Sequence, residues 1–145
     1  METLRAQAYF HAAHRQIGYP GKCRHVHGHT WRGVIVVSAE RLPRNDLDMA
    51  VDFGDLKDIL RSLDHKMMVS QTDSVFLDES LFDQDGVVLI PGNGPSVENI
   101  SNYVYDRVAD VIRRQYPDLG ISYHIFVEIQ ETDNNFMVVE GDAVI

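Results

Sequence analysis

The chain has 145 residues, 44% of them hydrophobic, and a formal net charge of −9. This length suffices for one core, and neither a composition break nor an internal repeat divides it, so we expect a single domain spanning residues 1–145. The negative charge argues against a nucleic-acid partner, which would require a basic face. No apolar run approaches the ~20 residues of a membrane span and the start lacks a secretory signal, so we expect a cytoplasmic protein without membrane contact.

Two strands are predicted in the first third of the chain. Residues 4–10 alternate between polar and apolar side chains, and the turn-forming residues 18–21, Gly-Tyr-Pro-Gly, follow them. Residues 29–38 are rich in β-branched and aromatic side chains and end before the polar segment 41–46.

The rest of the chain predicts two helices followed by two strands. Apolar residues recur at helical spacing over residues 51–63 and again from Pro95 to Tyr116, where Pro117 disfavours continuation. Residues 123–129 and 136–139 are predicted strands joined by a turn at 133–135. The acidic interval 68–94 contains a short apolar run, and we expect it to form an added hairpin or a loop that contacts another subunit, because long structureless connections are uncommon.

Residues 23–29, Cys-Arg-His-Val-His-Gly-His, place the only cysteine four residues before a His-x-His pair. On an extended strand, side chains two apart share a face, so His27 and His29 can converge on one metal ion. His14 is the nearest candidate for a third nitrogen ligand. Three imidazoles and an open fourth position are typical of catalytic zinc, whereas structural zinc sites are usually closed by thiolates.

The alternative interpretation of these histidines is structural. Alternating histidines also occur as half-buried strand residues, but the added third histidine and nearby cysteine favour a metal site. His11 and His25 are out of register with the proposed ligands, and we interpret them as surface or substrate-facing imidazoles.

Charge is unevenly distributed along the chain. The first 32 residues carry five cations against one acid, Glu2, which suggests that an anionic small substrate is attracted to the metal. The alternative is that these long side chains merely solvate a loop. The cations are Arg5, Arg15, Lys22, Arg24 and Arg32.

Four separated motifs extend over nearly the whole chain. They are Phe-His-Ala-Ala-His-Arg at 10–15, Cys-x-x-x-His-Gly-His at 23–29, Leu-Asp-His at 63–65 and Gln-Glu-Thr at 130–132. Residues 51–57 and 95–99 are supporting matches. In this order the motifs resemble the 6-pyruvoyl-tetrahydropterin synthase and 6-carboxy-tetrahydropterin synthase family.

The resemblance implies an α+β architecture, the tunnelling fold, in which an antiparallel sheet is backed by two helices. Subunits of that family join their sheets into barrels, commonly as homohexamers built from two trimers, and the active sites lie between subunits. Zn2+ is expected on His14, His27 and His29. Cys23 is the expected general base, Asp64 and His65 complete a Cys-Asp-His set, and Glu131 anchors the pterin ring.

The implied substrate is 7,8-dihydroneopterin triphosphate, and the implied product is 6-carboxy-5,6,7,8-tetrahydropterin of the queuosine pathway. Residues 51–57 resemble the bacterial carboxy enzymes, but the Glu-Thr-Asp-Asn-Asn run at 131–135 resembles the pyruvoyl enzymes, so 6-pyruvoyl-tetrahydropterin is an alternative product. Cys23 argues against a simple side-chain cleavage product. A non-catalytic pterin-binding module is the alternative of another class, although such a module would need only Glu131 and a pocket.

Overall fold

A computed structural model describes residues 1–145 as a six-stranded sheet with two helices against one face. The helices are α1 (Phe53–Arg61) and α2 (Val97–Gln115). The strands in chain order are β1 (Glu2–His14), β2 (His27–Ala39), β3 (Lys66–Val69), β4 (Val87–Leu89), β5 (Ser122–Thr132) and β6 (Asn135–Val144).

The strand order across the sheet is β4-β3-β1-β2-β5-β6, and the four long strands β1, β2, β5 and β6 pair with one another in antiparallel orientation. The predicted α+β class, with an antiparallel sheet backed by two helices, is therefore confirmed. The β1–β2 ladder runs from Glu2 opposite Ala39 to His14 opposite His27. Both strands are longer than the sequence predicts, because ladder pairing keeps their polar ends extended even where hydrophobic alternation fades.

The predicted hairpin in the interval 68–94 is wrong. The second strand there, β4, lies parallel to β3, with Met67 opposite Val87 and Val69 opposite Leu89. A parallel pair needs a crossover connection rather than a tight turn, and the chain supplies it between these two short strands. The sheet thus gains two parallel strands beside β1, which itself pairs with β3 in parallel.

The core lies between the sheet and the two helices. The predicted apolar positions of α2 are all buried: Ile100, Val104, Val108, Val111 and Ile112. Helix α1 buries Leu56, Ile59 and Leu60, whereas Phe53 at its start is 46% exposed. Helix α1 also approaches β2 closely, since a Cβ at Gly33 would lie 2.3 Å from Leu60 Cδ2. Neither helix combines the length and apolar character that crossing a membrane requires.

A buried ion pair ties the end of β1 to the loop between β3 and β4. Arg15 donates from Nε and Nη2 to the two carboxylate oxygens of Asp73, both at 2.8 Å, and the Asp73 side chain is only 4% exposed. The Arg15 guanidinium lowers the pKa of the Asp73 carboxyl below its ordinary value. This pairing follows directly after His14, so it also fixes the strand end that carries a candidate ligand.

Replacing Arg15 with alanine is expected to lower the free energy of unfolding by about 3–5 kcal/mol, because it leaves the Asp73 carboxylate buried without its cationic partner. The matched control is Arg44→Ala, since Arg44 and its partner Glu2 are 37% and 39% exposed. That exposed pair should contribute at most about 1 kcal/mol. Urea unfolding at neutral pH measures the loss of unfolding free energy in both variants. Equal losses would contradict this description of the Asp73 environment.

The pH dependence of the same pair has a defined sign. Because the folded-state pKa of Asp73 is lowered, the pair stabilises the protein above the ordinary carboxyl pKa, and this stabilisation is lost as pH falls through the lowered value. The difference in unfolding free energy between wild type and Arg15→Ala should therefore shrink in acid. A difference in unfolding free energy that grows as the pH falls would contradict the lowered pKa of Asp73.

Candidate metal centre and adjoining cavities

Three histidines meet at one end of the β1–β2 ladder. His14 is the last residue of β1, and His27 and His29 alternate at the start of β2, so all three side chains lie on the helix-facing side of the sheet. One nitrogen from each lies within 4.8 Å of the others. The structure therefore brings together the three histidines predicted as ligands.

Backbone carbonyls orient two of these imidazoles. His14 Nδ1 lies 2.7 Å from the carbonyl oxygen of Pro95, and His27 Nδ1 lies 2.7 Å from that of His25. Because a carbonyl oxygen only accepts, each Nδ1 carries the proton and each Nε2 presents its lone pair. Hydrogen bonds of this kind are typical of metal-ligating histidines.

The electrostatics also favour neutral imidazoles. Burial lowers the pKa of His14 and of His29, although the carboxylate of Glu131 acts in the opposite direction on both. The Nε2 atoms of His14 and His29 are buried and have no hydrogen-bond partner. Buried, neutral nitrogens without partners fit a bound metal ion, and imidazole suits zinc, copper, iron or nickel.

Glu131 lies beside this cluster at the end of β5. Its Oε1 is 3.8 Å from His29 Nε2, and its side chain is 22% exposed. The sequence identifies Glu131 as a candidate through the family resemblance, but it does not indicate this proximity to a candidate ligand. The proximity arises because β5 pairs with β2, which brings the β5 end to the histidines.

A cavity of about 280 Å³ adjoins the cluster and contains Cys23. The loop that carries Cys23 is anchored by the Gln16 N–H, which donates to the Cys23 carbonyl at 2.8 Å, and by Arg24, which donates to two carbonyls of the same loop. The structure thus brings together His14, Cys23 and Glu131. The cavity is also lined by Gln16, Tyr19, Ser96, Val97 and Glu98.

His65 lines a different, open cavity of about 670 Å³, and the adjacent Asp64 is hydrogen-bonded to His65. Asp64 Oδ1 accepts from the His11 N–H at 2.7 Å, and Oδ2 lies 2.8 Å from His65 Nδ1. The hydrogen bonds from His11 and then from His65 lower the pKa of the Asp64 carboxyl. His65 itself has φ +58° and a side chain that is 82% exposed. Strained backbone of this kind clusters at functional sites.

The predicted Cys-Asp-His set is therefore divided within one chain. His11, which borders the His65 cavity, alternates with the core residue Phe10 along β1, so it lies on the sheet face away from the helices. His11 and His25 are both exposed, as expected of residues outside the ligand set. Neither cavity contains both Cys23 and His65.

The cations of residues 1–32 are less available to bind an anionic substrate than the sequence suggests. Arg15 is paired with Asp73, and the guanidinium of Arg24 is occupied by the carbonyls of Pro20 and Gly21. Gln16 is a cavity residue that the sequence did not single out. No charge or spacing signal marks it.

The fold and the site define an α+β protein with three histidines positioned to bind a metal ion, beside a cavity with space for a small ligand. Comparison with known proteins narrows this class. The sequence profile of the 6-pyruvoyl tetrahydropterin synthase family matches residues 3–142, and the chain belongs to this family.

Two relatives and one solved structure illustrate the similarity. The chain is 30% identical to a 6-carboxy-5,6,7,8-tetrahydropterin synthase of Rickettsia bellii, over 90% of this chain and 94% of that protein. It is 28% identical to a 6-pyruvoyl tetrahydrobiopterin synthase of Dictyostelium discoideum, over 84% and 76%. A catalytic-residue mutant of Plasmodium vivax 6-pyruvoyltetrahydropterin synthase superposes with a TM-score of 0.68 at 18% identity, covering 98% of both chains. The fold is therefore the tunnelling fold.

Proposed function

We propose that this protein is a zinc-dependent enzyme that converts 7,8-dihydroneopterin triphosphate into 6-carboxy-5,6,7,8-tetrahydropterin. The observation that carries the proposal is the cluster of His14, His27 and His29, in which the Nε2 atoms of His14 and His29 are unpartnered, beside a cavity that also contains Cys23 and Glu131. The Rickettsia bellii relative is named for this product. Three nitrogen ligands and an open position are the arrangement of catalytic zinc.

Each proposed residue has a chemical task suited to its position. Glu131 accepts hydrogen bonds from the amino group and ring N–H of the pterin, which fixes the ring. Cys23, in the same cavity, removes a proton from a side-chain carbon of the substrate as its thiolate. When bound, zinc would polarise the side-chain oxygens and so acidify the neighbouring C–H bonds.

Asp64 orients His65 for a second proton transfer. The Asp64 carboxylate accepts a hydrogen bond from His65 Nδ1–H, which leaves His65 Nε2 as the atom that exchanges a proton with substrate. Since His65 and Cys23 lie in different cavities of one chain, we propose that the site is completed between subunits of a homohexamer. Exposed sheet edges at β4 and β6 are consistent with such assembly, because unpaired edges favour association.

The alternative product within the same reaction class is 6-pyruvoyl-tetrahydropterin. The Dictyostelium discoideum relative is named 6-pyruvoyl tetrahydrobiopterin synthase. The run Glu-Thr-Asp-Asn-Asn at residues 131–135 also resembles the pyruvoyl enzymes. The two products differ in carbon count, since the pyruvoyl product keeps the three side-chain carbons and the carboxy product keeps one. With the carboxy product, the proposed role of the protein is in queuosine biosynthesis and its proposed location is the cytoplasm.

A pterin-binding module without catalysis is the remaining alternative. It does not account for the exposed, Asp64-oriented imidazole of His65 or for Cys23 beside the histidine cluster. The experiment compares chelator-stripped protein with zinc-reconstituted protein in the consumption of 7,8-dihydroneopterin triphosphate. Consumption only with zinc supports the enzyme, whereas pterin binding without consumption in either form supports the module.

Shared active sites predict complementation between inactive variants. Cys23→Ala and His65→Ala, each inactive alone, are unfolded and refolded together as an equimolar mixture. The mixture should regain roughly a quarter of wild-type turnover, because about one interface in four then pairs an intact Cys23 with an intact His65. The control is each variant refolded alone. No recovery in a mixture shown by mass spectrometry to contain mixed oligomers would contradict a site shared between subunits.

A further inference from the structure

Gln16 is held against two segments that build the candidate site. Its backbone N–H donates to the Cys23 carbonyl at 2.8 Å. Its side-chain amide lies against Gly94, where an added Cβ would be 2.5 Å from Oε1 and 2.9 Å from Nε2. The next residue, Pro95, supplies the carbonyl that accepts the His14 Nδ1 proton. Gln16 therefore lies between the segments that position Cys23 and His14.

The side-chain oxygen of Gln16 lacks a partner in the chain. Oε1 is buried and accepts no hydrogen bond. Leaving such a group unsatisfied is unfavourable, so buried polar atoms are almost always paired with protein, water or ligand. Gln16 also lines the cavity that contains Cys23 and Glu131, so rotation about its soft terminal side-chain torsion would present Oε1 to a hydrogen-bond donor of a ligand in that cavity.

The position of Gln16 indicates which part of a ligand it contacts. Glu131 is the acceptor proposed for the amino group and N–H of the pterin ring. Gln16 follows His14 by two residues, and its backbone is hydrogen-bonded to Cys23. The proposed site of action of His14 and Cys23 is the substrate side chain. An amide at this place can accept a hydrogen bond from a hydroxyl group of that side chain.

We infer that Gln16 is a specificity-determining residue whose amide accepts a hydrogen bond from a side-chain hydroxyl of a reduced pterin. The inference rests on the proposed function and adds a recognition contact to it. A site that hydrogen-bonds a substrate hydroxyl discriminates against analogues that lack it, because the buried acceptor is then left unpaired. Gln16 thus selects pterins with a hydroxylated side chain over pterins with an alkyl group.

The test measures binding rather than turnover. Affinities of zinc-loaded protein for 7,8-dihydroneopterin and for 6-methyl-7,8-dihydropterin are determined by calorimetry, with zinc content checked in every variant. Gln16→Met keeps an unbranched chain of similar length and removes the amide. Its preference for the hydroxylated ligand should fall about tenfold relative to wild type, the value expected for one hydrogen bond, while affinity for the methyl analogue changes little.

Gly94→Ala tests the same contact without altering Gln16. The added Cβ must displace the amide, so the preference should again fall. Asn93→Ala is the matched control, since Asn93 precedes Gly94 in the chain but is exposed and lines neither cavity. A preference unchanged in Gln16→Met at full zinc occupancy overturns the inference, and so does an equal loss of affinity for both ligands, which would place the amide against the ring.

Failure of the proposed function is distinguishable from failure of this inference. Wild-type protein that binds 7,8-dihydroneopterin but does not convert its triphosphate would refute the proposed enzymatic activity. The ratio of affinities for the hydroxylated and methyl ligands would still decide the role of Gln16. Wild-type protein that binds neither pterin would overturn both. A fall in the affinity ratio for Gln16→Met and Gly94→Ala, but not for Asn93→Ala, supports the assigned contact.

Discussion

Replacing Cys23 with alanine is expected to lower turnover of 7,8-dihydroneopterin triphosphate at least ~10²-fold, the usual contribution of a general base. Zinc content and pterin affinity should stay near wild-type values, because Cys23 is not one of the three candidate ligands. Steady-state kinetics with parallel metal analysis measures the effect. A fall in kcat with little change in affinity separates loss of the base from loss of the binding site.

Two further variants complete this experiment. Cys23→Ser should be nearly as slow as Cys23→Ala, since a hydroxyl group is far less acidic than a thiol. Val26→Ala is the matched control, because Val26 is 51% exposed and close to Cys23 in the chain. If Cys23→Ala retains turnover with zinc bound, the thiol is a packing residue and His65 becomes the first candidate for the base.

Replacing His27 with alanine is expected to weaken zinc binding by more than the ~10–100-fold that loss of a supporting hydrogen bond costs, because a ligand itself is removed. Elemental analysis after dialysis measures the occupancy, which should approach one zinc per chain in wild type and fall sharply in the variant. His29→Ala should behave in the same way. Turnover should fall with the metal.

His25→Ala is the matched control for this prediction. The exposed His25 side chain is removed, while its backbone carbonyl, which accepts from His27 Nδ1, remains in place. Zinc occupancy should therefore be unchanged. If His27→Ala keeps full occupancy, the ligand set is wrong.

The main elements of the fold could be predicted because their signals are local. Helix α2 combines a Ser96 cap, a periodic apolar face and a proline after its end, and all three act within a few residues. The sequence does not predict the parallel strands β3 and β4, because four and three residues are too short to show a period. Their parallel pairing depends on a crossover that no local pattern encodes.

The candidate site shows the same limit. The shared face of His27 and His29 follows from strand alternation, which the sequence displays, and the β1–β2 register then places His14 opposite His27. The Pro95 carbonyl that orients His14 is 81 residues away in the chain, and the partner of Arg15 is 58 residues away. Such long-range contacts are set by packing and leave no spacing signal. Family resemblance identified Asp64 and His65, but only the structure shows that they lie in a different cavity from Cys23.

The most direct test of the central proposal is the mass of the product formed by purified, zinc-loaded protein from 7,8-dihydroneopterin triphosphate. We expect 6-carboxy-5,6,7,8-tetrahydropterin, with the other two side-chain carbons released as a separate fragment and triphosphate set free. Chelator-stripped protein should give no product. Accumulation of 6-pyruvoyl-tetrahydropterin, which retains the three side-chain carbons, or unchanged substrate in the presence of zinc would contradict the proposal.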